Sequence, residues 1–161
     1  MNLSHLTLRS RVLRAVRDFF YAQDFIEVET PVRIPAPALE THIDAPPSGR
    51  AWLRASPELH MKRLLADGCP RLFQIGPCFR SGECGRRHNP EFTMLEWYRA
   101  GADYTDILRD TEALLAHVFQ QACGGTVHTY RGQTIDLARP WHCHTVREAF
   151  RTWAGWDPAE H

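Results

Sequence analysis

Charged and aromatic side chains that could do chemistry are concentrated between residues 72 and 98. A strand-like run ends at Arg80, a polar loop follows over residues 81–91, and a second strand-like run covers residues 92–98. Such a loop is too long for a tight two-residue hairpin, and long loops in compact domains are often functional. The pattern predicts an antiparallel strand pair with a basic flap. The flap carries Glu83, Arg86, Arg87 and His88.

The second run alternates in character, as a strand with two different faces does. A carboxylate is costly to bury without a cation, so Glu96 on an otherwise apolar face indicates a positively charged partner. Arg80 offers a planar guanidinium that can bind a phosphate or a carboxylate through two hydrogen bonds. These residues predict a site for a nucleotide phosphate above and a cationic substrate below. The side chains that share the face of Glu96 are Phe92, Met94 and Tyr98.

Each of these residues also has an ordinary structural explanation. Arg80 could form a surface ion pair, which contributes only about 0–1 kcal/mol. Phe92 could be a core residue, and His88 could be a histidine at the tip of a loop. Glu58 follows Ser56 and Pro57, which suit the N-cap and the first position of a helix. Taken alone, Glu58 is best explained as a carboxylate that complements the positive end of that helix.

The remaining elements follow from hydrophobic spacing and from turn residues. A stripe of apolar residues predicts a helix over residues 8–21, and a stronger one predicts a helix over residues 104–122. A capping box at Thr145 and Glu148 opens another helix, which extends through Trp153. Helices are interspersed with mostly antiparallel strands, so the fold class is α+β. The other predicted elements are strands at 25–30, 51–55, 127–130 and 134–137 and a helix at 56–66.

Composition excludes several classes of protein. Lys+Arg and Asp+Glu number 19 each, so no basic excess indicates duplex nucleic acid as the main partner. No apolar run approaches the roughly 20 residues that span a membrane, and the first residues do not read as a signal peptide. Five irregularly spaced cysteines then favour reduced thiols in the cytoplasm. A zinc site from Cys78, Cys84 and His88 is disfavoured, because no C-x-x-C pair supports it. A site at residues 142–144 is disfavoured because alternation in an extended segment points Cys143 away from the two flanking histidines.

Longer segments resemble the catalytic domain of class II aminoacyl-tRNA synthetases. Residues 8–31 resemble motif 1 and residues 72–99 resemble motif 2, whose run from His88 to Glu96 is of the lysine type. The run from Ser56 to Lys62 is similar to the family's helix that supplies a lysine-binding glutamate. The likeness extends from about Leu6 to Trp153 and implies that residues 1–161 are the N-terminal part of that domain. Motif 3, the glycine-rich segment with an arginine for the γ-phosphate, is absent.

The resemblance implies adenylate-forming chemistry with ATP, Mg²⁺ and lysine. Arg80 would be catalytic and would bind ATP, while motif 1 would form a homodimer. The family's motif 2 places a glutamate where this chain has Gly82, and Glu83 could supply that carboxylate instead. No metal ligand is assigned. The other implied ATP-binding residues are Glu83, His88 and Phe92, and the implied lysine-binding residues are Glu58, Glu96 and Tyr98.

Two lysine-type families come into question, and they differ in the acceptor of the activated amino acid. Lysyl-tRNA synthetases carry an N-terminal anticodon-binding domain, which this chain does not show, and they use tRNA-Lys. The elongation factor P lysine ligases join (R)-β-lysine to a lysine side chain of that factor. The sequence around Met61 and Trp97 is closer to that of the ligases, so transfer to elongation factor P is expected. The alternatives are a lysyl-tRNA synthetase fragment or an inactive domain that binds and dimerises, and we expect no activity from residues 1–161 alone. Whether α- or β-lysine is used stays open.

Overall fold

The computed structural model describes residues 2–38 and 40–160. Met1 and His161, the two ends of the predicted domain, lie outside the described residues, as does Leu39. Contacts divide the chain into two units. One unit comprises Leu13–Ile107, and the other comprises Met1–Val12 together with Leu108–His161.

Helices and strands of mixed order confirm the α+β prediction. The helices are α1 (Leu3–Tyr21), α2 (Glu58–Ala66), α3 (Tyr104–Cys123) and α4 (Val146–Ala149), and α4 continues as a π-helical segment, Phe150–Ala154. The strands are β1 (Ile26–Glu27), β2 (Arg33–Ile34), β3 (Pro47–Ser48), β4 (Ala51–Leu53), β5 (Arg71–Phe79), β6 (Glu91–Arg99), β7 (Val127–Tyr130) and β8 (Gln133–Asp136). Over residues 2–38 and 40–160, none of the helices combines the length and apolarity that a membrane crossing needs.

Strands β5 and β6 form the central hairpin of the 13–107 unit, as predicted. They pair antiparallel along nine residues each, from Arg71 opposite Arg99 to Phe79 opposite Glu91. The order of this sheet is β1-β5-β6, and a smaller antiparallel sheet has the order β2-β4-β3. The long hairpin therefore fixes which residues lie at its loop end.

Strand β1 differs from the prediction in length. The alternation over residues 25–30 predicts six residues, whereas the ladder covers only Ile26–Glu27 and runs parallel to β5. The reason lies at Thr30, whose N–H donates to the Gln74 side chain at 3.0 Å instead of to a strand carbonyl. Helix α1 also begins earlier than predicted, because Asn2 Oδ1 accepts the Ser4 N–H at 3.0 Å and caps the helix.

Aromatic rings fill the core of the 13–107 unit between α1 and the hairpin. Phe20 is fully buried. Its ring stacks on Phe73 of β5 at a centroid distance of 4.7 Å and packs edge-on against Phe25 at 5.0 Å. On β6 it contacts Trp97 at 5.5 Å. One helical residue thus packs against both strands of the hairpin, and the opposite face of the strands remains for other contacts.

The second unit contains the hairpin β7–β8 and the segment that follows it. Arg131 and Gly132 have positive φ angles of 51° and 80°, which two-residue hairpin turns require. The predicted capping box is confirmed, because Thr145 Oγ1 accepts the Glu148 N–H at 3.1 Å and Glu148 Oε2 accepts the Thr145 N–H at 2.8 Å. The helix that it opens turns into the π-helical segment, which the sequence does not reveal.

Candidate functional site

Arg80 and Phe92 meet at the loop end of the central hairpin. Arg80 directly follows β5, and its N–H donates to the Pro90 carbonyl at 2.9 Å, which closes the base of the loop. The Arg80 guanidinium carbon lies 5.1 Å from the centre of the Phe92 ring. Its Nε is buried and has no hydrogen-bond partner among the described residues. A buried donor of this kind suits an anionic ligand.

Glu83 lies beside Arg80, and its role as the motif 2 carboxylate stays a prediction. Its Oε1 is 3.8 Å from Arg80 Nη1. Gly82, the position where the family carries a glutamate, has a φ of +76°. Side chains other than glycine are strained in that left-handed region, so the loop as folded here favours glycine at 82.

His88 is not brought into contact with Arg80 or Phe92. It is exposed, and no hydrogen bond or ion pair joins its side chain to another described residue. Its backbone exchanges two hydrogen bonds with Gly85, at 3.0 and 3.3 Å, which form a tight turn within the loop. A second tie anchors the loop, because the Ser81 N–H donates to the Asp44 carbonyl at 2.7 Å. The position of His88 over the phosphates therefore stays a prediction.

Glu96 is held by two hydroxyl groups. Ser56 Oγ donates to Glu96 Oε2 at 2.6 Å, and Tyr98 Oη donates to Glu96 Oε1 at 2.7 Å. Each carboxylate oxygen therefore has one fixed donor and keeps a lone pair for another. Glu96 and Phe92 lie four residues apart on β6, on the same face and about 13 Å from each other along the strand. The predicted lysine-binding and nucleotide-binding residues thus share one strand face.

Tyr98 stays protonated in this environment. Burial is the main cause that raises the pKa of its hydroxyl, and the hydrogen bond to Glu96 and the negative charge of that carboxylate add to the effect. A phenol that stays neutral can only donate to Glu96, never repel it. The Tyr98 hydroxyl therefore fixes the orientation of the carboxylate over the whole physiological pH range.

Ser56 connects Glu96 with the start of α2. Its Oγ donates to Glu96 and accepts the Glu58 N–H at 3.0 Å. The sequence predicts Ser56 only as a helix cap, since no pattern links it to a residue 40 positions later. Ser56 is thus a candidate site residue that sequence reasoning missed. Its expected role as a helix cap was enough to explain a serine at this position, so nothing in the sequence indicated a second role.

Glu58 is only partly engaged with its own helix. Its Oε1 pairs with Lys62 Nζ at 2.5 Å, one helical turn on, and its side chain is 41% exposed. Such an exposed pair contributes little stability, so the Glu58 carboxylate can exchange its partner at low cost. Glu58 lies beside a cavity of about 280 Å³. This cavity is lined by Ile34, Ala36, Ala38, Glu40, Ala55, Ser56, Glu58, Leu59 and His60.

Glu96 and Tyr98 line a different cavity, of about 460 Å³, beside β6. The hydrogen bond from Ser56 to Glu96 joins a residue that lines the first cavity to a residue that lines the second. Direct hydrogen bonds thus connect Glu96 with Tyr98 and with Ser56. Glu58 is connected to them only by the hydrogen bond from its N–H to Ser56 Oγ, among the described residues. In the described residues, no three His, Cys, Asp or Glu side chains are grouped as a metal site would need.

Comparison with known families identifies the family of this chain. The sequence model of the tRNA synthetases class II (D, K and N) matches residues 2–161. The chain belongs to this family. As a class II synthetase domain it has the expected fold, an antiparallel strand pair flanked by helices.

Relatives of this class II domain include lysine–tRNA ligases from three organisms. Those of Methanoculleus marisnigri, Pelotomaculum thermopropionicum and Moorella thermoacetica are 39%, 43% and 41% identical to it. In each case the match covers 92% of this chain. It covers 30%, 30% and 32% of the respective relative, so the chain spans about a third of their length. The likeness to lysine-type class II synthetases is confirmed at the level of the family.

Proposed function

We propose that the protein containing this chain activates lysine with ATP to form a lysyl-adenylate. A carboxylate oxygen of lysine attacks the α-phosphorus of ATP, the bond to the β-phosphate breaks, and pyrophosphate leaves. The observation that carries this proposal is the Glu96 carboxylate, held by Ser56 and Tyr98 on the same strand face as Phe92. The lysine–tRNA ligase relatives support it.

In this proposal the loop end of the hairpin binds ATP. Arg80 neutralises the α-phosphate and the attacking carboxylate, and loss of one such preorganised donor typically costs about 3–4 kcal/mol of transition-state stabilisation. Arg80 covers one face of the Phe92 ring, so adenine would stack on the other. Glu83 orients Arg80, and His88 would reach the phosphates. Mg²⁺ would accompany the ATP phosphates and supply charge neutralisation.

The lysine side chain would extend away from Arg80 toward Glu96. The ammonium group of lysine would there be the cation that balances the half-buried carboxylate of Glu96. Tyr98 would keep Glu96 oriented, and Glu58 would bind the second amino group of lysine after release from Lys62. The half-buried carboxylate of Glu96 stabilises a cationic side chain but not a neutral one. The site would therefore select a cationic amino acid.

The acceptor in the second step is the ribose hydroxyl of tRNA-Lys in our first proposal, because the relatives are lysine–tRNA ligases. The acceptor oxygen attacks the carbonyl carbon of the adenylate, AMP leaves, and the acceptor loses its proton. A protein lysine of elongation factor P, with lysine or β-lysine as donor, is the second candidate. It is favoured by Trp97 and by the Met-Lys-Arg-Leu-Leu run from Met61, which resemble the elongation factor P ligases.

We also propose that the active protein is a homodimer in the cytoplasm. Residues 8–31, the motif 1 segment, expose Leu8, Tyr21 and Ile26 by 43%, 51% and 53%. Large apolar side chains that are exposed on one segment favour association with another chain. Sedimentation of the full-length protein at micromolar concentration is expected to show a dimer, and a monomer would contradict the proposal.

The proposed reaction is tested by lysine-dependent exchange of labelled pyrophosphate into ATP, with the full-length protein. Exchange is expected with lysine or β-lysine and not with arginine or ornithine, and Arg80→Ala should abolish it. Exchange that does not depend on a basic amino acid would refute the proposal. Labelled lysine offered with tRNA-Lys and, separately, with elongation factor P then decides between the two acceptors.

A further inference from the structure

Arg54 is a buried arginine that the proposed reaction does not use. It follows β4, and only 1% of its surface is exposed. Its Nη1 donates to the Thr30 carbonyl at 2.7 Å and to Thr30 Oγ1 at 2.9 Å, and its Nε donates to the Pro77 carbonyl at 2.9 Å. No carboxylate forms an ion pair with it among the described residues. A buried cation whose oxygen acceptors are main-chain carbonyls and a hydroxyl, not a carboxylate, must have those acceptors held in place.

Gly76 provides the space for this guanidinium. A Cβ atom at position 76 would lie 2.7 Å from Arg54 Nη2, closer than Cβ atoms approach other atoms. The guanidinium cannot readily move aside, because its Nε and Nη1 are both bound. Glycine is therefore the only residue type that fits at position 76 without a shift of the Arg54 side chain or of the backbone.

The contacts of Arg54 bracket the end of β5. Its side chain binds the Pro77 carbonyl, and its own carbonyl accepts the Phe79 N–H at 2.9 Å. Arg80 is the next residue along the chain. On the other side, the Arg54 N–H donates to the Val32 carbonyl at 2.9 Å. Arg54 thus ties the last residues of β5 to the segment 30–32.

We propose that Arg54 is a positioning residue, which holds the end of β5 so that Arg80 is presented to the site. One hydrogen bond from the side chain, to the Pro77 carbonyl, and one from the backbone, with the Phe79 N–H, hold this short stretch on both sides of Cys78. Three more hydrogen bonds anchor Arg54 to Thr30 and Val32. The consequence for catalysis rests on the proposed function, in which Arg80 binds the α-phosphate. The geometric part, control of the Pro77–Arg80 backbone, does not depend on it.

Hydrogen exchange tests the geometric part in the full-length protein. Arg54→Met should speed amide exchange at Phe79 and Arg80, while amides of α2 keep their wild-type rates. Arg33→Met is the matched control, since Arg33 is exposed and donates only to the Ser48 carbonyl among its described contacts. Unchanged exchange at Phe79 in Arg54→Met, or the same change in Arg33→Met, would overturn the proposal.

Exchange of pyrophosphate tests the catalytic part. A misplacement of about 1 Å typically costs about 100-fold in rate, so Arg54→Met should lower kcat/KM for ATP by about that factor. Part of this loss should be a higher KM for ATP, while the KM for lysine stays unchanged. Arg54→Lys should not restore it, because an ammonium lacks the planar fork that reaches both Thr30 and Pro77. A merely structural role would lower kcat through the active fraction and leave both KM values unchanged, which would overturn the catalytic part.

The variant Gly76→Ala provides an independent check on the same contact. It should slow exchange of pyrophosphate in the wild-type background and have no further effect in Arg54→Met, where the clashing group is gone. Additive effects of the two changes would count against the proposal. A wild-type protein without lysine-dependent exchange would instead refute the proposed function, and the amide rates at Phe79 would still decide the role of Arg54.

Discussion

Replacement of Glu96 by glutamine is the most direct test of the proposed lysine site. Glutamine keeps the size of the side chain but replaces one carboxylate oxygen by an NH₂ group. That group would face either Tyr98, whose hydroxyl now donates at 2.7 Å, or Ser56, which donates at 2.6 Å and also accepts the Glu58 N–H. One of the two hydroxyl bonds is therefore lost or turned, and the bound ammonium loses its carboxylate.

The expected loss in lysine affinity follows from these contacts. Two unit charges 4 Å apart attract by about 4 kcal/mol at an effective dielectric constant of 20, which is the gross interaction before desolvation. Net contributions of hydrogen bonds to charged groups are about 1.5–3 kcal/mol. Glu96→Gln should therefore weaken lysine binding roughly 10- to 150-fold. ATP binds at the other end of the strand face, so its affinity should stay within about twofold.

Isothermal titration of the full-length protein with lysine and, separately, with ATP gives both affinities. Glu91→Gln serves as the control, because Glu91 is exposed on the same strand and carries the same charge. An equal loss for both ligands in Glu96→Gln, or a similar loss of lysine affinity in Glu91→Gln, would refute the assignment of Glu96 to the ammonium group.

Three further predictions concern stability. Phe20→Ala should cost about 3–5 kcal/mol in chemical denaturation, because Phe20 is fully buried, whereas Leu6→Ala, at an exposed position, should cost little. Thr145→Ala should cost the second unit about 1 kcal/mol through loss of the capping box, seen as faster amide exchange at Glu148. Hydrogen bonds from Arg147 and from the Ala159 N–H hold the pKa of Asp157 below its ordinary value, so their stabilisation is present above about pH 4 and is lost as pH falls further. Acid titration of Trp153 and Trp156 fluorescence should show this loss, and Asp157→Asn should remove it.

The sequence predicts elements well where local rules decide them. The hairpin β5–β6, the capping box at Thr145 and the presence of α2 are confirmed, because alternation, caps and helical spacing depend on neighbouring residues. The predicted start of α2 is wrong, since the helix begins at Glu58 with Pro57, not Ser56, as its N-cap. The predicted length of β1 is wrong, because the Thr30 N–H donates to the side chain of Gln74, a residue far along the chain, instead of to a neighbouring strand. The π-helical segment after α4 leaves no signal in the apolar spacing.

The candidate site shows the same division between local and distant information. Alternation along β6 places Glu96 and Tyr98 on one face, and the structure joins them. The contact of Ser56 with Glu96 and the contact of Arg54 with Gly76 connect segments that are distant in sequence. In the sequence, Ser56 reads as a cap and Arg54 as part of a strand. Only the folded chain shows that Ser56 binds Glu96 and that Arg54 binds the end of β5 just before Arg80.

The register of the central hairpin also bears on the order in which the chain folds. Strands β5 and β6 need only the closure of the loop 80–90, and α2 immediately precedes them, whereas Ile26 of β1 must reach Leu72 from much farther along the chain. Local contacts form faster than distant ones, because less chain entropy is lost. We therefore expect the residues proposed to bind ATP and lysine to gain amide protection before β1 docks, so that the substrate face takes shape ahead of the segment proposed to dimerise.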